Sequence, residues 1–139
     1  GIATLAPQAR IGLVAQESPS RDERSTHTVY ESRLQDIRAQ DPGASTVSLR
    51  SLGLLSAAEL SKPVAELSMG QQRRLDIALA LAGRPHVLLL DEPTNHISIT
   101  LVEELTDAFG NTKAAIALVT HDRQLRRDLA GWPNLDLAL

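Results

Sequence analysis

The sequence predicts an α/β domain, a parallel sheet with a helical lobe inserted into it, and three observations carry that reading. Residues 87–90 (VLLL) run straight into Asp91 and Glu92, and Pro93 closes the run. Residues 114–119 (AAIALV) form a second apolar run, followed by Thr120 and His121. Runs of this length with both faces apolar mark strands buried in a parallel sheet. Helix-like and strand-like segments then alternate through residues 85–139, the pattern of βαβ units.

The chain has 139 residues, suited to one domain that buries about two thirds of its unfolded surface. Tyr30, Phe109 and Trp132 are its only aromatics, so aliphatic side chains must fill the core, and a stacking surface for unpaired bases is excluded. A net charge of −3 gives no general attraction to nucleic acid or anionic lipid. With no cysteine, disulfides, thiolate zinc sites and cysteine nucleophiles are excluded. No apolar stretch nears the roughly 18 residues of a membrane span and no signal peptide is evident, so a cytoplasmic protein without membrane insertion is expected.

Taken in order, residues 11–15 form the first predicted strand, with Gln16 just past its apolar part. Residues 17–26 are polar with a proline, which is loop chemistry. Val29, Tyr30, Leu34 and Ile37 fall at helical spacing and predict a helix over 29–38. Asp41, Pro42 and Gly43 mark a turn. A short helix is expected over 46–55, and another turn over 57–60. Ser68 is positioned to cap a helix rich in Ala and Leu that Gly83 and Pro85 end.

After the acid-ended strand at 87–91, Ile99, Leu101, Val102, Leu105, Ala108 and Phe109 mark an amphipathic helix. Thr100 and Glu103 have capping-box spacing, Ser98 is a competing start, and Gly110–Asn111 ends the helix. A strand over 114–120, a charged helix over 122–130 and an edge strand over 135–139 complete the expectation.

Asp91 and Glu92 lie where open α/β sheets bind ligands, outside the carboxyl edge of the strands. Buried acids need a cation, a water or a phosphate nearby; a turn with solvated acids is the alternative. The helix start at Ser68, Gly70 and Gln71 offers backbone N–H groups to an anion, against the alternative of an ordinary capped helix. His27, His86 and His96 have no metal-ligand spacing with one another. Arg73 and Arg74 read as solvated surface, as do Arg123, Arg126 and Arg127.

In this order these features resemble the nucleotide-binding domain of the ATP-binding cassette (ABC) ATPases. Leu67–Ser68–Met69–Gly70–Gln71 resembles the signature motif, residues 87–92 the Walker B strand, Gln16 the Q-loop glutamine, and Thr120–His121–Asp122 the switch-histidine region. The run Asp91–Glu92–Pro93–Thr94–Asn95–His96 is similar to the ABC-F branch, as are residues 70–75 and Thr120–His121–Asp122–Arg123. The resemblance implies a partial P-loop NTPase (ABC) core with parallel strands and an inserted helical subdomain. Residues 1–17 would belong to the core with the Q-loop, 18–84 to the helical subdomain, and 85–139 to the core with Walker B and switch histidine.

The same resemblance implies ATP and Mg2+ as ligands. Asp91 would hold the metal through water, Gln16 would reach the metal and couple it to the lobe, Glu92 would polarise the attacking water, and His121 would sense the γ-phosphate. Ser68, Gly70 and Gln71 would contact ATP held by a second ABC domain, in trans or in tandem. Soluble action on the ribosome, including antibiotic resistance, is the activity implied. A non-catalytic interaction half-domain and the ATPase subunit of a membrane transporter are the rival readings.

Three departures qualify the resemblance. No Gly-x4-Gly-Lys-Ser/Thr phosphate loop occurs in the 139 residues, so little hydrolysis is expected of them alone, and uncovered sheet edges make a homo-oligomer the expected state. Met69 stands where the signature most often has glycine. Ser98 stands where an aspartate often follows the Walker B turn.

Overall fold

The computed structural model describes residue 2 and residues 4–14, 20–92, 103–104 and 113–136. Three strands, β1 (Ile11–Val14), β2 (Val87–Asp91) and β3 (Ala115–Val119), form a parallel sheet in the order β1-β2-β3. Ile11 stands beside Val87, and Val87 beside Ala115. Between β1 and β2 the chain builds the lobe: α1 (Thr26–Gln40), α2 (Leu49–Leu52), α3 (Ala57–Leu60), a 3-10 turn at Val64–Glu66, and α4 (Met69–Leu81). A short α5 (Arg123–Asp128) follows β3. Among the described residues no helix is long and apolar enough to cross a membrane.

The alternation of a strand sends successive side chains to opposite faces. Val14, Leu88 and Leu90 are buried on one face and join a single apolar cluster with Leu75, Ile77, Ala78 and Leu81 of α4. Gly12 shares that face, and a Cβ there would meet the Ala80 carbonyl oxygen at 2.9 Å. Glycine is what lets β1 and α4 approach this closely. The opposite face is less covered: Ile11 is 40% exposed and Leu13 62%.

Caps set the helix limits more than apolar spacing does. Ser25 accepts the Thr28 N–H, which starts α1 at Thr26 rather than at 29, and the helix runs on to Gln40. The expected helix over 46–55 is only Leu49–Leu52. Val47 is held out of it, because its N–H donates to the Ala82 carbonyl and its own carbonyl accepts the Tyr30 hydroxyl at 2.8 Å. Gly53 then ends α2 in the left-handed region, at φ +67°. Tyr30 is fully buried, and that burial, helped by the charge of Glu31, pushes its phenol well above the ordinary value.

At the far end of α4, the Arg10 guanidinium donates to the Gly83 and Arg84 carbonyls at 3.3 and 2.9 Å. A cation is favoured there by the helix dipole, and the bonds satisfy carbonyls past the helix end. Arg10 N–H also donates to His86 Nδ1 at 3.0 Å, so this histidine serves the entry to β1 and β2.

The strands at 11–14 and 115–119 lie within the expected ranges 11–15 and 114–120; residue 15 lies outside the described residues. The charged helix is shorter than 122–130, because Asp122 is its cap: its carboxylate accepts the Leu125 N–H at 2.8 Å. Residues 133–136 are irregular, which removes the start of the expected edge strand over 135–139, and 137–139 lie outside the described residues. Of the amphipathic helix after Pro93, only 103–104 are described, and they are helical.

Candidate functional site

The carboxyl edge of the sheet gathers Asp91, Glu92 and His121. Asp91 is the last residue of β2, opposite Val119, and is exposed. Glu92 follows with φ +46°, a left-handed conformation that costs a residue with a side chain about 1–2 kcal/mol. Three hydrogen bonds hold this turn. The Glu92 N–H donates to the Val119 carbonyl at 2.8 Å. The Asp91 carbonyl accepts Arg73 Nη2 at 3.2 Å. Glu92 Oε2 accepts the His121 N–H at 3.3 Å.

The second carboxylate oxygen, Oε1, is buried and has no hydrogen-bond partner, the one such side-chain atom among the described residues. His121 Nε2 lies 3.5 Å away, an ion-pair distance only when the imidazole is protonated. The imidazole is 93% exposed, whereas the Glu92 side chain is 22% exposed. A buried carboxylate oxygen without a donor is costly, on the order of 1–3 kcal/mol, so the site is built to receive one. A water or a ligated cation fits it. No group of three His, Asp or Glu side chains among the described residues is arranged as a metal cage. A metal here would therefore draw most of its ligands from water or from a bound molecule, as magnesium does.

Gln16 and residues 93–102, which include Thr94, Asn95, His96 and Ser98, lie outside the described residues. The structure thus brings Glu92 and His121 together, puts Asp91 on the same edge, and leaves Gln16 without a described position.

The helix start at Ser68 is a double cap. Ser68 Oγ accepts the Gln71 N–H at 3.2 Å, and Gln71 Oε1 accepts the Ser68 N–H at 2.9 Å. Gln71 Nε2 donates to Glu59 Oε1 at 2.7 Å, and Glu59 Oε2 in turn accepts the Ser56 N–H at 2.6 Å. Burial raises the Glu59 carboxyl, but the Ser56 N–H, the Gln71 amide and the Ser56 hydroxyl, with the charge of Arg74, outweigh it and hold it below its ordinary value. The side chain of Gln71 is thus already engaged inside the lobe, which the expected role facing a second domain did not include. Ser68 is exposed and Gly70 half-buried at this turn.

Three further residues were missed by sequence reasoning. Arg73, expected at the surface, is only 8% exposed and crosses from α4 to the end of β2. Arg74 pairs with Glu104 at 2.9 Å instead of standing in solvent. The buried amide of Gln72 clamps the chain that leaves β1: Oε1 accepts the Ser20 N–H at 2.9 Å, while Nε2 donates to the Ser20 and Val64 carbonyls. Nothing local in the sequence signals these partners, since Gln72 and Arg73 both sit in an ordinary polar helix start. By contrast, Arg123, Arg126 and Arg127 are exposed, as expected.

A parallel sheet with an acid pair and a histidine at its carboxyl edge, plus a capped glycine-bearing helix start from an inserted lobe, defines an α/β nucleotide-binding domain. The family profile described as ABC transporter matches residues 3–95, and the chain belongs to that family of ATP-binding cassettes. It is 48% identical over 81 residues to the tylosin resistance ATP-binding protein TlrC of Streptomyces fradiae, a match covering 58% of this chain and 15% of that protein. It is 42% identical over 77 residues to ABC transporter F family member 4 of Arabidopsis thaliana, covering 55% of this chain and 10% of that one. The energy-dependent translational throttle protein EttA of Mycobacterium tuberculosis is 41% identical over 71 residues, 51% of this chain and 13% of that one. One of these relatives is an F family member by name, and the chain matches only a small part of the length of each. Among solved structures, the dimeric bacterial ABC transporter cassette MJ0796 superposes with a TM-score of 0.60 at 25% identity, over 86% of this chain and 55% of that one.

Proposed function

We propose that this chain supplies the hydrolytic edge and the signature surface of an F-type ABC ATPase. The observation that carries the reading is the unpartnered, buried Oε1 of Glu92 beside His121 at the carboxyl edge of the sheet. In this reading Glu92 accepts a hydrogen bond from water at that oxygen and aims it, while its other oxygen stays tied to the His121 N–H. The exposed imidazole of His121 is free to turn toward a phosphate. Asp91, with Gln16, would hold Mg2+, Asp91 through water, and the metal when bound would neutralise charge on the phosphates of ATP. Ser68, Gly70 and Gln71 face ATP carried by a second ABC domain, in tandem or in trans, and for Gln71 this requires the cap bond between its N–H and Ser68 Oγ to be exchanged for one to the phosphate.

Residues 1–17 and 85–139 then form the core and residues 18–84 the helical subdomain. Similarity to a tylosin resistance protein and to a translational throttle protein supports ribosome-associated action, including antibiotic resistance, in the cytoplasm. The second reading is a non-catalytic interaction or regulatory half-domain.

Phosphate release by the full-length protein that carries this chain tests the reading. Glu92→Gln is expected to retain ATP binding and to lose about a hundredfold or more in turnover. An unchanged rate would remove Glu92 from the chemistry. Titration of the 139 residues with Mg-ATP separates the two readings further, since micromolar binding would show that they hold nucleotide without an added phosphate loop.

A further inference from the structure

The two acids at the end of β2 are joined by one peptide unit, and both polar groups of that unit are held. Its carbonyl, on Asp91, accepts Arg73 Nη2 at 3.2 Å, and its N–H, on Glu92, donates to the Val119 carbonyl at 2.8 Å. The first bond comes from the helix that starts at the signature turn, the second from the neighbouring strand. A peptide held on opposite sides resists rotation, and holding its plane restrains φ of the next residue. That residue is Glu92, which sits at φ +46°. Left alone, a glutamate would leave this conformation for the right-handed or extended regions. From that backbone position its carboxylate reaches the His121 N–H.

Arg73 is suited to this task. It is the fifth residue of α4, is almost wholly buried, and donates to the backbone carbonyl at the end of β2. Burying a cation is costly unless its donors are used, so a surface arginine would not be drawn in without a structural reason. Its neighbour Gln72 makes the complementary connection, to Ser20 on the chain leaving β1. Adjacent residues of the signature helix therefore grip the chain beyond β1 and the end of β2.

We propose that Arg73 is a positioning residue: by holding the Asp91–Glu92 peptide plane it aims the Glu92 carboxylate, and so ties the orientation of the signature helix to the hydrolytic edge. The proposal rests on the ATPase reading for its kinetic consequence, but its structural half does not.

The test has two arms. In the full-length protein, Arg73→Met is expected to lower kcat about tenfold with KM for ATP unchanged, because the base is misaimed while the phosphates are held as before. Arg73→Lys, which keeps one cationic donor, should recover most of that loss. In a Glu92→Gln background Arg73→Met should cost nothing more, since the group it aims is already gone. Equal losses in both backgrounds, or kcat and KM changing together, would overturn the proposal. If Glu92→Gln alone has no effect, the ATPase reading fails and the second arm decides. In the 139-residue chain, Arg73→Met should speed amide hydrogen exchange at Glu92 and His121 about tenfold relative to Leu88 and Leu90 in the same sheet. A uniform change at all four amides, or none, would refute the peptide clamp.

Discussion

The Gln71 side-chain amide donates to Glu59 Oε1 at 2.7 Å, and this one bond joins two capping boxes, Ser56–Glu59 and Ser68–Gln71. The helix start at Ser68 is therefore braced from α3. Three further residues on α4, namely Gln72, Arg73 and Arg74, extend the bracing to Ser20, Asp91 and Glu104. A turn held this firmly presents its outer groups with little conformational entropy left to lose on binding.

Glu59 makes the brace sensitive to acid. Its carboxyl is held below the ordinary value, so the folded state favours the charged form. The stabilisation is fully present above the unfolded-state value and is lost as pH falls through the folded-state value. Thermal unfolding of the chain and of Glu59→Gln across pH should therefore show a gap at neutral pH that closes on the acid side of the carboxylate range. A gap that stays constant with pH would assign the effect to shape rather than charge.

Removing the Gln72 amide takes the side-chain partner from the Ser20 N–H and carbonyl, while the Val64 carbonyl keeps the Leu67 N–H. Gln72→Ala is expected to cost about 1–2 kcal/mol in urea unfolding, the scale of lost hydrogen bonds. Amide exchange at Ser20 should rise with it. Gln72→Glu tests the geometry, because a carboxylate keeps the acceptor and loses both donors.

Gly12 separates β1 from α4 by the width of a hydrogen. Gly12→Ala would bring a methyl to 2.9 Å from the Ala80 carbonyl oxygen and 3.1 Å from Leu88 Cδ1. Backbone cannot give as a side-chain tip does, so a loss of about 1–3 kcal/mol is expected on chemical denaturation. Gly131→Ala, where no atom lies within 4 Å, is the matched control and should change stability little.

The outer face of the sheet carries Leu13 at 62% exposure, with Ile11 beside it and Val119 at 56% on β3. Apolar side chains in this density favour association, and β1 as an edge strand leaves backbone groups open to pairing. The 139 residues are expected to sediment as a dimer or larger species without nucleotide. Leu13→Lys should shift them toward monomer. A wild-type monomer at high micromolar concentration would show that the face is tolerated in water.

The sequence by itself determined the elements whose causes are local. Apolar runs at 11–15, 87–91 and 114–120 read as strands of a parallel sheet, and Ser68 read as a helix cap. Asp91, Glu92 and His121 were legible as strand-end groups for the same reason, because a strand's end is marked within a few residues. Helix limits were less legible: Val47 stays out of α2 because Tyr30 and Ala82, each far off in sequence, take its backbone groups.

Only the tertiary structure decided which polar side chains hold the site. Gln72 finds Ser20 from 52 positions away, and Arg73 finds the Asp91 carbonyl from 18 positions away. Neither residue type announces a buried role; an arginine on a polar helix start is surface by every local rule. Folding places a backbone carbonyl within its reach, and a hydrogen bond made there helps offset the loss of water around the charge. Local periodicity encodes which faces avoid water, whereas partner choice among polar groups depends on distances that exist only once α4 lies against the sheet.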